Sequence, residues 1–116
     1  MSEADPSVAE RRAHPRVPTR FSVHCRRLGR AGVDRAVEVI DLSMGGARIT
    51  APAALQLGDV VELMVDEGAG PFTLSGLVVS TSAEGVEARY GHIAFTRLTP
   101  LVLEHIAHLV EEKRRT

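Results

Sequence analysis

The chain has 116 residues, of which 44% are hydrophobic, and a formal net charge of −1, which suits one domain around one core. No apolar run approaches the roughly 20 residues that a membrane-spanning helix needs, and the polar, acidic stretch Met1 to Glu10 does not read as a secretory signal. A single cysteine, Cys25, excludes an internal disulfide and fits a reducing, cytoplasmic setting.

The near-neutral total conceals an asymmetry. Between Arg11 and Arg35 there are eight arginines (11, 12, 16, 20, 26, 27, 30 and 35) against one acid, Asp34, and Lys113 is the only lysine. An arginine-rich coding bias is one explanation. A local anion site is the other, because the guanidinium forks onto phosphate and stacks on flat rings. Composition leaves both open.

Residues 1–10 show no periodicity and read as a disordered tail. Arg11 to Pro18 is a basic arm, which Pro15 and Pro18 are expected to keep out of helix and regular sheet. After Thr19 the pattern alternates. Phe21, Val23 and Cys25 face one way and Ser22, His24 and Arg26 the other, as in a half-buried strand with Cys25 as a small buried apolar residue. A turn around Gly29 to Gly32 precedes a second strand, Ala36 to Ile40. In the following Asp41-Leu42-Ser43-Met44-Gly45-Gly46 the two glycines permit backbone angles that other residues avoid, which predicts a tight hairpin turn. Ala47 to Thr50 returns as a third strand.

Pro52 to Gly58 connects to a fourth strand, Asp59 to Asp66, with Val61, Leu63 and Val65 on one face. Glu67 to Pro71 is a strong turn signal. Phe72 to Ser80 and Val86 to Leu98, joined through Glu84-Gly85, give two more strands. Six strands with no helix between them argue for an antiparallel barrel or sandwich. The period then changes. Thr99 can cap a helix and Pro100 suits its first turn, while Val102, Leu103, Ile106, Leu109 and Val110 share one face. Lys113, Arg114 and Arg115 complement the negative end of the helix dipole. This helix is expected to cover an open part of the barrel, with a partner-binding helix as the alternative.

Templates for catalysis fail one after another. The five histidines (14, 24, 92, 105 and 108) are scattered, and no Cys/His/acid cluster has metal-ligand spacing. His105 and His108 read as a solvated pair. Ser43 lacks the preceding glycine of a nucleophile elbow and has no identifiable base. No P-loop and no dinucleotide fingerprint is present. The expectation is a non-enzyme with no metal and no cofactor.

Two segments remain. In Arg12-Ala13-His14-Pro15-Arg16, preceded by Arg11, two arginines four residues apart on a stiffened arm can reach one ligand from two directions. The same residues would also suit a basic surface arm or a nucleic-acid contact. In Asp41 to Gly46, Asp41 and Ser43 alternate and so project to one side of an extended chain. Asp41 can accept hydrogen bonds from a base edge, and Gly45 and Gly46 let a ligand approach the backbone. Asp and Ser beside Gly-Gly are equally ordinary turn formers.

Taken together, Arg12 and Arg16, then Asp41, Ser43 and Gly46, resemble the R-x-x-x-R and D-x-S-x-x-G motifs of PilZ domains, in that family's order. Tyr90-Gly91-His92-Ile93-Ala94-Phe95 is similar to a late strand of the family that crosses beside the site. The resemblance spans residues 11 to 115 and implies a six-stranded antiparallel β-barrel closed by a C-terminal α-helix, with the arm over 11–18, the barrel over 19–98 and the helix over 99–115. The implied ligand is cyclic di-GMP. Arg12 and Arg16 would contact guanine edges and phosphates and stack on the bases. Asp41 and Ser43 would hydrogen-bond a guanine, and Gly45 and Gly46 would leave room for it. Arg11 precedes the motif as in members that take up a stacked ligand dimer, and Arg48 is expected as an extra phosphate contact. The implied role is a cytoplasmic second-messenger receptor that passes its signal to an effector protein. Two rivals are a ligand-free PilZ adaptor in motility or polysaccharide machinery, and a nucleic-acid-binding barrel. Three Phe, one Tyr and no Trp give few base-stacking platforms, which argues against nucleic acid.

Overall fold

In a computed structural model, which describes residues 16–29, 34–51, 55–67, 70–84 and 88–115, the alternating segments form strands. They are β1 (Val17–Arg27), β2 (Asp34–Leu42), β3 (Gly46–Thr50), β4 (Val60–Glu67), β5 (Gly70–Glu84) and β6 (Ala88–Thr96). Over much of their length the strands bury alternate residues. In β1 these are Val17, Thr19, Phe21, Val23 and Cys25, and in β4 Val61, Leu63 and Val65. Such a period of two places one edge of each strand against a common core and the other towards water.

All six strands pair antiparallel in the cyclic order β1-β2-β3-β6-β5-β4, so the sheet closes on itself. Two three-stranded meanders, β1-β2-β3 and β4-β5-β6, are joined edge to edge by the β3–β6 and β1–β4 pairings. Closure leaves no exposed sheet edge in this ring. The expected barrel is therefore present, and the sandwich is excluded. Ile49, Leu55, Val61 and Cys25 sit inside with no exposed surface. Burial pushes the Cys25 thiol up to about 11, with Asp34 adding to the effect, so it stays protonated and inert near neutral pH.

The C-terminal helix, α1 (Pro100–Arg114), starts as expected, with the Thr99 hydroxyl accepting from the Val102 amide and Pro100 in the first turn. Ile106 and Leu109 are buried against the barrel, and Val102 and Val110 pack beside them. Among the described residues no helix is long and apolar enough to cross a membrane. The far end of α1 is tied down by Lys113, whose ammonium lies 2.7 Å from Glu67 and 4.7 Å from the centre of the Phe21 ring. His105 departs from the expected solvated pair: its ring stacks on Phe72, with centroids 4.7 Å apart and planes inclined by 11°.

Three further expectations are corrected. The arm ends earlier than 18, because Val17 and Pro18 pair with Leu42 and Asp41 in the sheet. Pro18 is tolerated there because the register slips between Pro18 and Phe21, and the Thr19 hydroxyl donates to the Val39 carbonyl at 2.8 Å. Gly45 and Gly46 do close a hairpin, with Ser43 N–H donating to the Gly46 carbonyl at 2.9 Å, but neither takes a positive φ. Gly46 is required sterically, since a Cβ at that position would overlap the Ile93 carbonyl oxygen of β6. The strands β2 and β5 are also longer than expected, running Asp34–Leu42 and Gly70–Glu84. The expected tail, together with Arg11 and Arg12, lies outside the described residues.

Candidate functional site

One row of residues crosses the outer face of five strands. Pro18 of β1 is paired with Asp41 of β2, Asp41 with Arg48 of β3, Arg48 with His92 of β6, and His92 with Ser80 of β5. The inward row beside it is apolar and buried, with Leu42, Ala47, Ile93 and Val78. Register irregularities abut this row at three places: after Pro18, before Asp41, and before Ser80. Bulges bend a strand and re-aim its side chains. Here they gather polar groups that lie far apart in sequence.

Arg16, Pro18, Asp41, Arg48 and His92 line an open depression of about 430 Å³. Asp41 is its electrostatic centre. An Arg16 guanidinium nitrogen donates to Asp41 Oδ1 at 2.8 Å, and Arg48 Nε lies 3.1 Å from Asp41 Oδ2. The second contact is an ion pair without hydrogen-bond geometry, so Arg48 Nε, though buried, has no acceptor among the described residues. The rest of the Arg48 guanidinium lies over the Tyr90 ring, 5.2 Å from its centre. His92 is held below the ordinary histidine pKa, first by partial burial and then by the Arg16 and Arg48 charges, with Asp41 opposing them. Two cations, one carboxylate and a neutral imidazole thus share one concave surface. Such a set can bind an anion with a flat polar ring, through forked guanidinium contacts and a carboxylate that accepts from ring N–H groups.

Of the residues expected from sequence, Arg16, Asp41 and Arg48 are brought together. Ser43 is buried instead, and its hydroxyl accepts from Gly45 N–H and donates to the Gly46 carbonyl, both at 3.3 Å. It holds the turn that carries Asp41. Gly45 is open, with space around a hypothetical Cβ, whereas Gly46 is packed against β6. His92 and Pro18 line the depression without having been expected as site residues, although the strand from Tyr90 to Phe95 was expected to cross beside the site. For His92 the local signal is an outward position in an alternating strand, between the buried Gly91 and Ile93.

The arginine excess also resolves. Arg20 pairs with Glu38 at 2.9 Å, Arg26 with Glu62 at 2.7 Å and Arg27 with Asp59 at 3.5 Å. A charge asymmetry along the chain is thus partly cancelled between neighbouring strands in space. Among the described residues no group of His, Cys, Asp and Glu is placed to hold a metal.

The sequence matches the PilZ domain family over residues 10–112, which is most of the chain. This chain belongs to the PilZ domain family. PilZ domains are binding and adaptor domains, and no catalytic family is indicated. The barrel is similar to the PilZ domain of YcgR from Escherichia coli, solved with c-di-GMP, at TM-score 0.69 and 21% identity, covering 90% of this chain and 92% of that one. It is also similar to the PilZ domain of CeSA from a cellulose-synthesizing bacterium, at TM-score 0.66 and 20% identity, with 84% and 96% covered. The Bacillus subtilis inhibitor of motility (MotI/DgrA) matches at TM-score 0.67 and 12% identity, over 90% of this chain and 51% of that one. At these identities the structural likeness speaks for the PilZ fold. A comparison with curated proteins finds no significant match.

Proposed function

We propose that this PilZ domain is a cytoplasmic receptor for cyclic di-GMP that passes the signal to a partner protein. The observation that supports this most is the convergence of Arg16, Asp41 and Arg48 on one open depression of the barrel wall. Arg16 and Arg48 supply forked donors for phosphate and for the guanine O6 and N7 acceptors. Asp41 accepts from guanine N1–H and N2–H, exchanging guanidinium partners for base partners as the ligand enters. Ser43 and Gly46 fix the turn that presents Asp41, and Gly45 gives the base access to the backbone. Arg11 and Arg12, on the segment leading into β1, reach the same ligand, and Arg11 suits a stacked dimer.

A ligand-free adaptor is the second reading, and one observation favours it: Asp41 is already neutralised by two arginines. A calorimetric titration with cyclic di-GMP, cyclic di-AMP, GTP and single-stranded DNA separates the readings. Saturable binding of cyclic di-GMP alone, or far more tightly than the others, supports the receptor. No binding to any of them leaves the adaptor, and preference for DNA replaces both.

A further inference from the structure

His92 sits in the same outward row as Asp41 and Arg48, directly across from Arg48 on the neighbouring strand, and lines the depression. It was not needed for either sequence motif, and the reading above gives it no task. The groups that face it are Arg16 just before β1, Asp41 of β2 and Arg48 of β3, with Tyr90 on its own strand and the uncharged Ser80 opposite it on β5. Its closest charged surroundings are therefore two cations and one anion.

We propose that His92 is a further ligand-facing residue of this site, which takes up a proton when a dianionic dinucleotide docks between Arg16 and Arg48 and so couples binding to pH. This rests on the cyclic di-GMP reading above. The physical cause is a reversal of local charge. In the present arrangement partial burial disfavours the imidazolium, and the Arg16 and Arg48 charges add to it, against Asp41. Two phosphates placed over the same row neutralise those cations and leave a net negative potential at the ring. An imidazolium also offers two N–H donors where the neutral ring offers one, so the protonated ring is the better partner for phosphate.

The sign follows from linkage. The ring pKa is higher in the complex than without ligand, so binding takes up protons. The gain in affinity is complete below the ligand-free pKa and is lost as pH rises through the pKa of the complex. Each unit of difference is worth about tenfold in affinity at the acid end.

The test is calorimetry of the whole chain with cyclic di-GMP at about pH 5.5 and about pH 8, with the observed heat compared between buffers of different ionisation enthalpy. The wild-type chain is expected to bind several-fold more tightly in acid, with net proton uptake. His92→Gln should lose most of the acid gain, so that its affinities at the two pH values become nearly equal. NMR titration of the His92 ring in the wild-type chain, with and without cyclic di-GMP, gives the same answer even where the variant folds poorly. Tight binding with an unshifted His92 ring, or a His92→Gln pH profile equal to wild type, overturns the role of His92 and leaves the receptor standing. Absence of cyclic di-GMP binding at both pH values overturns the receptor and this inference together.

Discussion

The Arg16 guanidinium donates to the Asp41 carboxylate at 2.8 Å, joining the end of the Arg-x-x-x-Arg segment to the start of the Asp-x-Ser turn across 25 residues of sequence. The two motifs therefore meet as an ion pair in the barrel wall. Arg16 keeps about a third of its side-chain surface exposed, and Asp41 much less. Arg16 is free to turn outward to a ligand at small cost, because partly exposed pairs contribute only about 0–1 kcal/mol.

Replacing Arg16 or Arg48 by Ala should weaken cyclic di-GMP binding about tenfold to hundredfold, since a hydrogen bond to a charged group is worth roughly 1.5–3 kcal/mol. Arg12→Ala should do the same. Thermal stability should change little for Arg16→Ala, because the lost pair is partly exposed. Calorimetry together with a melting curve checks both halves of this expectation.

Asp41→Asn tests base reading against general anion attraction. The variant removes a negative charge and loosens both arginines, so a purely electrostatic site would bind more tightly and respond more steeply to salt. If Asp41 accepts from a guanine edge, affinity falls despite the gain in positive charge, and cyclic di-AMP competes poorly against the wild-type protein. Competition binding at two salt concentrations distinguishes these outcomes.

The paired glycines should behave differently from each other. Gly46→Ala forces a methyl into the Ile93 carbonyl and shifts the β3–β6 contact, which should cost on the order of 1–3 kcal/mol of stability. Gly45→Ala meets open space and should leave stability near wild type while reducing ligand affinity through lost access. Urea unfolding of both variants, followed by titration, reads the difference.

Much of this was legible in the sequence, and the exceptions have physical causes. The strands were readable because alternation at Phe21-Val23-Cys25 or Val61-Leu63-Val65 is the direct image of a one-sided core. Val17 and Pro18 were misjudged because a proline normally ends a strand, and the substitute bond from Thr19 to Val39 belongs to tertiary structure. Arg48 and His92 become partners only through the β3–β6 pairing that closes the barrel. No local pattern reveals that register. Likewise Gly46 looked like a turn residue, whereas its constraint comes from Ile93 on a distant strand.

His92 also has a consequence for stability in the absence of ligand. Its pKa is lowered in the folded chain, so on acidification below about 6.5 the unfolded chain takes up this proton first and stability falls. His92→Gln should remove that part of the acid sensitivity. Urea midpoints for both proteins at near-neutral and mildly acid pH give the comparison, and saturating cyclic di-GMP should lessen the acid loss in the wild-type chain.

The central claim is that cyclic di-GMP binds on the outer row that runs from Pro18 to His92. Backbone NMR shifts recorded while cyclic di-GMP is added to the whole chain address it most directly. Saturable changes are expected to cluster at residues 16–20, 41–48 and 90–94, with little change at Glu62 and Met64 on β4. Binding that perturbs the β4 region and leaves Arg16, Asp41 and Arg48 untouched, or no saturable change anywhere, would contradict it.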